Sequence, residues 1–251
     1  MHRFYLPREH EQDATLTLTG REAHHGLRVL RVRLGEKVMV LDGEGHCSLC
    51  EVENLSREAV QLRVLEKTFI EATPYRITLA QAIPRGKVFD SIVQKATELG
   101  ASRIVPLLTG RVVAQLNEGK VTGKAEHWRS VAIEAIKQCG SPWLPQIEAP
   151  VLLRDFIARR EPFDLSFVAA LQSNSRHPRE WLKVFQETHQ RKPASFCVWI
   201  GPEGDFTSEE IEAAKSAGGL PITLGPLVLR SETAAIYCLS VLNYELQSTI
   251  P

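Results

Sequence analysis

The chain has 251 residues, 43% of them hydrophobic, and 30 basic side chains balance 30 acidic ones to a formal net charge of zero. That length and apolar share can build a real core, which excludes a disordered polypeptide, and the balanced charge excludes nucleic-acid binding through bulk positive charge alone. No apolar run approaches the ~20 residues of a membrane span. Residues 1–5 lack the apolar core of a secretory signal, so a cytosolic location with no membrane partner is expected.

The first third reads as short alternating runs at 37–41, 46–52 and 59–65, joined by turns that contain Gly and Asn, and this texture predicts a small β-barrel. Ahead of the first run, Arg21, Arg28, Arg31, Arg33 and Lys37 with His24 and His25 outnumber Glu22 and Glu36. Such a cluster suits phosphate contacts, and it suits a solvated helix face equally. The five cysteines are an odd count, which argues for reduced thiols. Cys47 and Cys50 form a lone C-x-x-C, with no second pair or paired histidines to complete a tetrahedral set. They read as packing residues with opposite-facing side chains on a hairpin strand, and no metal is expected.

A change of texture at 71–74 predicts a boundary between domains at 1–72 and 73–251. Beyond it strands and helices alternate. A strand at 77–83 precedes a helix carried by Val88, Ile92, Ala96 and Leu99 and closed by Gly100; a strand at 103–108, a helix at about 124–139, a strand at 165–170 and a helix begun by Pro178 follow. The pattern predicts an α/β domain with a parallel sheet.

The densest information lies at 196–242. An apolar run at 196–200 stops at Gly201-Pro202-Glu203-Gly204, and a second at 221–224 stops at Gly225-Pro226. Thr207 and Glu210 fit a capping box, so a helix should start near Ser208 and end at Gly218 in a left-handed cap. Ser231 can cap a last helix in which Ala235, Leu239, Leu242 and Leu246 recur at helical spacing. Two successive strand, turn, helix units therefore point at one pocket. Ligands of parallel sheets settle beyond the carboxyl ends of the strands, where glycine lets them approach the backbone. Neither G-x-x-x-x-G-K-[ST] nor a G-x-G-x-x-G after the first strand is present, which favours a ligand gripped by its non-phosphate parts.

The segments GPEGDFTSEE, LGPLVLRSETAA and PRGKVFDSIVQKATELGASRIVPL, with MHRFYLP and HHGLRVLRVRLGEKVMVLDGEG near the start, resemble the RsmE-type ribosomal RNA methyltransferases of the SPOUT superfamily over nearly the whole chain. The resemblance implies a PUA-like β-barrel that binds RNA at 1–72 and a SPOUT α/β methyltransferase domain at 73–251. That domain would hold a deep trefoil knot, the segment around 224–233 being tucked through a preceding loop. The implied activity is methylation of N3 of one uridine in 16S rRNA of the small ribosomal subunit, with S-adenosylmethionine (SAM) as donor and a homodimer as the working unit. A last helix with Ile236, Leu239, Val241 and Leu242 on more than one face suits burial against a partner as well as against the core.

Carried onto this chain, the resemblance places the donor against Leu171, Ile200, Gly201, Pro202, Glu203, Gly204, Leu224, Gly225, Val228, Leu229, Ser231, Thr233 and Ala234. Leu171 suits core packing nearly as well, and Glu203 either binds substrate or fixes its own turn. N3 of uridine keeps its proton at neutral pH, so a cation to favour the anion and a carboxylate to take the proton are needed. Arg230 and Glu232 are the candidates, although an acidic residue at position 232 also suits the dipole of the last helix. RNA contacts are expected from Arg3, Arg28, Arg31, Arg85, Lys87 and Arg111. The chain departs from the family at Asp205, which replaces the last glycine of G-P-E-G-G, and at Ser141, where many members carry arginine. Competing readings are a SPOUT enzyme acting on another rRNA or tRNA nucleotide and a non-catalytic ribosome-assembly factor.

Overall fold

The computed structural model describes residues 1–7, 14–86, 88–110, 123–170 and 175–247. Lys87, Arg111 and Leu171 lie outside the described residues. The chain divides into two compact units, Met1–Ala72 with Ile133–Leu144, and Thr73–Ala132 with Pro145–Pro251.

The first unit holds β1 (Arg3–Tyr5), β2 (Thr15–Leu18), α1 (Gly20–His24), a π-helical segment (His25–Leu30), β3 (Lys37–Leu41), β4 (His46–Leu55) and β5 (Val60–Phe69). The strands form one sheet in the order β1-β3-β4-β5-β2, with β1 parallel to β3 and the other pairs antiparallel. Alternation puts Leu16, Leu18, Val38, Val40 and Leu62 into a core with Phe4. Cys47 and Cys50 are both buried, and the register shift opposite Leu49 and Cys50 leaves its extra residue, Leu65, on β5, so β4 keeps its alternation there. Burial pushes both thiols up, Cys50 to about 11.

The chain passes between the units at Ala72 and Thr73, and residues 133–144, placed with the later domain by their texture, belong with this unit. Arg3 explains part of it, since its Nη1 donates to the carbonyls of Lys137 (3.2 Å) and Gln138 (3.0 Å), the last turn of the helix Lys124–Cys139. The buried Lys137 ammonium pairs with Glu22 at 2.8 Å and Glu134 at 3.0 Å. The Trp143 indole N–H donates to the Ile70 carbonyl at 3.0 Å, and its ring meets Phe69 edge-on. Ser141 shapes the approach by donating to the Trp143 carbonyl and accepting from its N–H.

The second unit holds β6 (Arg76–Ala82), α2 (Val88–Glu98), β7 (Arg103–Leu108), the start of α3 (Lys124–Cys139), β8 (Gln146–Ile147), β9 (Val151–Leu152), α4 (Leu153–Ala158), β10 (Leu165–Ala169), α5 (Pro178–His189), β11 (Ser195–Ile200), α6 (Ser208–Ser216), β12 (Gly219–Ile222) and α7 (Ser231–Gln247). The sheet runs β12-β10-β11-β6-β7-β8, with β9 also on β7, and every pairing is parallel. One face packs Ala80, Val105, Val168 and Trp199 against Leu153 and Phe156 of α4, Phe206, and Ile211 and Ala214 of α6. The other face is covered by α2 and α7, which pack on each other. Continuous apolar strands buried on both faces are what a parallel sheet demands.

Strand β12 ends at Ile222, two residues short of the expected limit at Leu224. Thr223 turns the chain, its hydroxyl accepting from Gly225 N–H at 3.2 Å and donating to the Gly225 carbonyl at 3.3 Å. Leu224 therefore lies in the loop.

Candidate functional site

Because the sheet is all parallel, the carboxyl ends of β6, β10, β11 and β12 emerge on one edge. There a cavity of about 820 Å³ opens, within the ~300–1,000 Å³ usual for small-ligand pockets. It brings together Ile200, Gly201, Pro202, Glu203, Gly204, Leu224, Gly225, Val228, Leu229, Arg230, Ser231, Glu232 and Ala234 of the residues expected from sequence. Thr233 is exposed and off the cavity wall. On a helix Ser231 and Ala234 share a face three residues apart, and position 233 points away from it. Sequence reasoning missed Val88, Ala169, Ala170, Ser175, Asp205, Ile222, Thr223 and Leu227. Ala169 and Ala170 were legible as the end of an apolar strand; Val88 and Ser175 reach the wall only through the packing of distant elements.

The 201–204 turn is fixed from three sides. A Cβ on Gly201 would meet Asp205 Oδ1 at 2.9 Å and Phe206 N at 3.0 Å, so only glycine fits unless the turn moves. Gly204 and Asp205 both take left-handed backbone, at φ 85° and 67°. Aspartate tolerates that region better than most side chains, and here its Oδ1 accepts from Phe206 N–H at 2.7 Å. The departure from glycine thus has a physical reason. Glu203 accepts from Arg85 N–H through both carboxylate oxygens, at 3.1 and 3.2 Å, and so ties this turn to the loop after β6. Beyond the turn the capping box forms as expected, with Glu210 Oε2 accepting from Thr207 N–H at 2.9 Å and Thr207 Oγ1 from Glu210 N–H at 3.2 Å. Oε1 of the same Glu210 accepts from Gly110 N–H at 2.8 Å, pinning the loop after β7 as well.

The last helix opens differently from expectation. Ser231 is its first residue, and the Arg230 carbonyl accepts from Ala234 N–H at 2.8 Å. The Ser231 hydroxyl is no cap: it donates to the Gly201 carbonyl at 2.6 Å and accepts from Gln81 Nε2 at 2.9 Å. Arg230 is exposed and Glu232 half-buried, and among the described residues neither side chain forms a hydrogen bond or ion pair. Both are free to meet a ligand. Ser175 Oγ, also on the wall, is buried with no hydrogen-bond partner among the described residues. A cradle of glycine backbone, aliphatic walls and one hydroxyl without a partner among the described residues fits the adenine and ribose of an adenosyl compound. Among the described residues, no group of three His, Cys, Asp or Glu is placed to hold a metal ion.

Of the expected RNA-binding residues, Arg3, Arg28 and Arg31 belong to the first unit and Arg85 to the second. Arg28 and Arg31 are exposed, Arg31 in a left-handed conformation at φ 54° that ends the π-helical segment. Arg85 is exposed after β6, while Arg3 is engaged with helix carbonyls as described.

Comparison with known proteins gives these features a family. Residues 71–243 match the model of an RNA methyltransferase domain, and residues 18–65 that of an RNA methyltransferase PUA domain. The chain is 30% identical to ribosomal RNA small subunit methyltransferase E of Bacillus subtilis, over 94% of this chain and 92% of that one. To its counterpart in Synechocystis it is 34% identical, over 94% of this chain and 75% of that one. Among solved structures, a Legionella pneumophila protein in complex with SAM superposes with a TM-score of 0.87 at 32% identity, covering 97% of each chain. Ribosomal RNA small subunit methyltransferase E of Neisseria gonorrhoeae, bound to SAM, gives 0.84 at 26% identity and 98% coverage of both. A PUA-like N-terminal domain followed by a parallel-sheet methyltransferase domain, with its cavity at the strand ends, thus identifies this chain as a member of the ribosomal RNA small subunit methyltransferase E family.

Proposed function

We propose that this chain methylates N3 of one uridine in the 16S rRNA of the small ribosomal subunit, with SAM as the methyl donor. The observation that carries the reading is the placement of Arg230 and Glu232, free of partners among the described residues, on the wall of a cavity whose other walls are glycine turns and apolar side chains. Its SAM-bound neighbours support the choice of donor. SAM brings an activated methyl on its sulfonium, so the protein's task is to bind, orient and manage one proton. The 201–204 turn and the 223–230 loop hold the adenosyl part through backbone groups. Arg230 lowers the pKa of the uridine imide by its charge, and Glu232 accepts the N3 proton. Aliphatic walls at Ile200, Leu224 and Leu229 exclude water from the reacting pair.

The RNA would be gripped by phosphate contacts from Arg28, Arg31 and Arg85, with Arg3, Lys87 and Arg111 as further members of that set. A homodimer is part of the reading: Leu227 and Val228 are 74% and 76% exposed beside the cavity, and Tyr237 and Tyr244 are exposed on α7, an apolar surface that a second copy would cover. The proposal includes the deep trefoil knot around 224–233 and a cytosolic location. Among the described residues no helix is long and apolar enough to cross a membrane.

The test is to incubate the protein with labelled SAM and small subunits lacking the modification, then digest the rRNA for mass spectrometry. N3-methyluridine is the expected product. Methyl on a ribose oxygen or on guanine would overturn the assignment, and absence of any transfer would favour an assembly factor.

A further inference from the structure

We infer that Gln81, which touches neither the cavity nor any residue expected to bind RNA, is a positioning residue that sets the shape of the donor seat through a one-way hydrogen-bond relay. Gln81 is fully buried near the end of β6, where the buried residues 77–82 are otherwise apolar except for Thr78. Its Nε2 lies 2.7 Å from the Ala82 carbonyl and 2.9 Å from Ser231 Oγ, and Ser231 Oγ lies 2.6 Å from the Gly201 carbonyl. A carbonyl only accepts, so the contact with Ala82 requires the amide nitrogen on that side and rules out the flipped amide. The second amide proton then goes to Ser231 Oγ. With one lone pair so occupied, the hydroxyl proton is left to point at Gly201. Every direction in the chain is fixed by the two backbone carbonyls at its ends, and no rotor within it is free.

The relay links three places distant in sequence: the end of β6, the first residue of α7 and the first residue of the 201–204 turn. The last two belong to the two halves of the cavity wall, and Ser231 sits between Arg230 and Glu232. One side chain thus holds the backbone cradle and the candidate catalytic pair in register. The amide's other atom supports a positional role. Gln81 Oε1 is buried without a partner among the described residues, an arrangement a methionine of the same length would avoid. What the glutamine supplies in exchange is its pair of N–H donors.

The inference rests on the cavity being the SAM seat, and the test separates the two. SAM binding is measured by calorimetry on wild type, Gln81→Met, Ser231→Ala and the double variant, with near-ultraviolet circular dichroism to confirm folding. Each single change is expected to weaken SAM binding about tenfold, and the double change by no more than either alone, since the groups act as one unit. Effects that multiply to about a hundredfold, or single variants that bind like wild type, overturn the relay. Gln81→Glu is the second arm, which keeps the shape if methionine does not fold. A buried carboxyl has a raised pKa, so at high pH its carboxylate faces the Ala82 carbonyl with no proton to donate, and as pH falls it becomes a donor again. The ratio of variant to wild-type affinity should therefore recover from pH 8.5 toward pH 6, whereas a glutamine that only fills space predicts a flat ratio, and a flat ratio sinks the relay. Wild type that binds no SAM would overturn the seat itself, and the relay's purpose with it.

Discussion

Adding a single methyl group at Gly201 tests how the donor cavity is built. Gly201 does not use left-handed backbone, so alanine introduces no dihedral strain and the whole effect is one of space. The new Cβ would stand 2.9 Å from Asp205 Oδ1 and 3.0 Å from Phe206 N, inside the 3.4 Å at which ordinary contact begins. The carboxylate can swing away only by giving up its 2.7 Å bond to Phe206 N–H, and the amide can retreat only with its backbone. Relief therefore comes from moving 205–206, which is to say the cavity wall. Overpacking of this kind costs about 2 kcal/mol, which corresponds to ~30-fold weaker SAM binding if the wall carries the whole displacement. Gly219→Ala is the control. Its Cβ would lie 2.7 Å from the Ala214 carbonyl and from Val168 Cγ2, away from the cavity wall, so it should lower the melting temperature and leave the affinity of the folded protein intact. Calorimetry showing Gly201→Ala binding SAM as tightly as wild type would refute the reasoning.

Glu232→Gln should lower kcat by about 10²–10⁴-fold with little change in SAM affinity, measured by single-turnover methyl transfer, and Arg230→Ala should do the same while Arg230→Lys retains part of the rate. Asp205→Gly should bind SAM as wild type does, whereas Asp205→Val, β-branched at φ 67°, should lower thermal stability by about 1–3 kcal/mol. The Arg191 guanidinium beside Asp164, with the N–H groups of Ala194 and Ser195, holds that carboxyl down at about 2. A depressed acid stabilises the fold above its unfolded value of 3.8 and loses that contribution as pH falls through about 2, so Asp164→Asn should flatten the acid limb of the stability curve between those limits. Thiol titration of the folded protein should find Cys139 fast and the other four cysteines slow, because Cys139 is exposed and burial raises Cys238 to about 12.

Much of this site could be read in the chain because its signals are local. The Thr207–Glu210 box, the glycine turn after 196–200 and the spacing of Ala235, Leu239, Leu242 and Leu246 each concern residues within about three helical turns. What escaped was long-range. Glu203 meets Arg85 across 118 residues of chain, Gln81 meets Ser231 across 150, and Arg3 meets the carbonyls at 137–138 from the other end of its unit. Hydrophobic periodicity reports which face of an element is buried and says nothing of which distant polar group waits there. Ser231 shows the limit well. A serine at a helix start is a fair cap by local rules, and only the proximity of Gly201 and Gln81 turns its hydroxyl to another use.

Strand β12 forms one margin of the large sheet, and such margins are where other chains can add themselves. Pro221 sits in the middle of it with its carbonyl turned outward, accepting at 3.3 Å from both Arg176 N–H and the Trp181 indole. Because the N and C=O of one strand residue point to the same side, the proline ring occupies the place where an outward donor would otherwise be offered to a neighbour. The sheet stops growing there by chemistry as well as by cover, a safeguard against fibrous self-association at a margin whose strand is only four residues long.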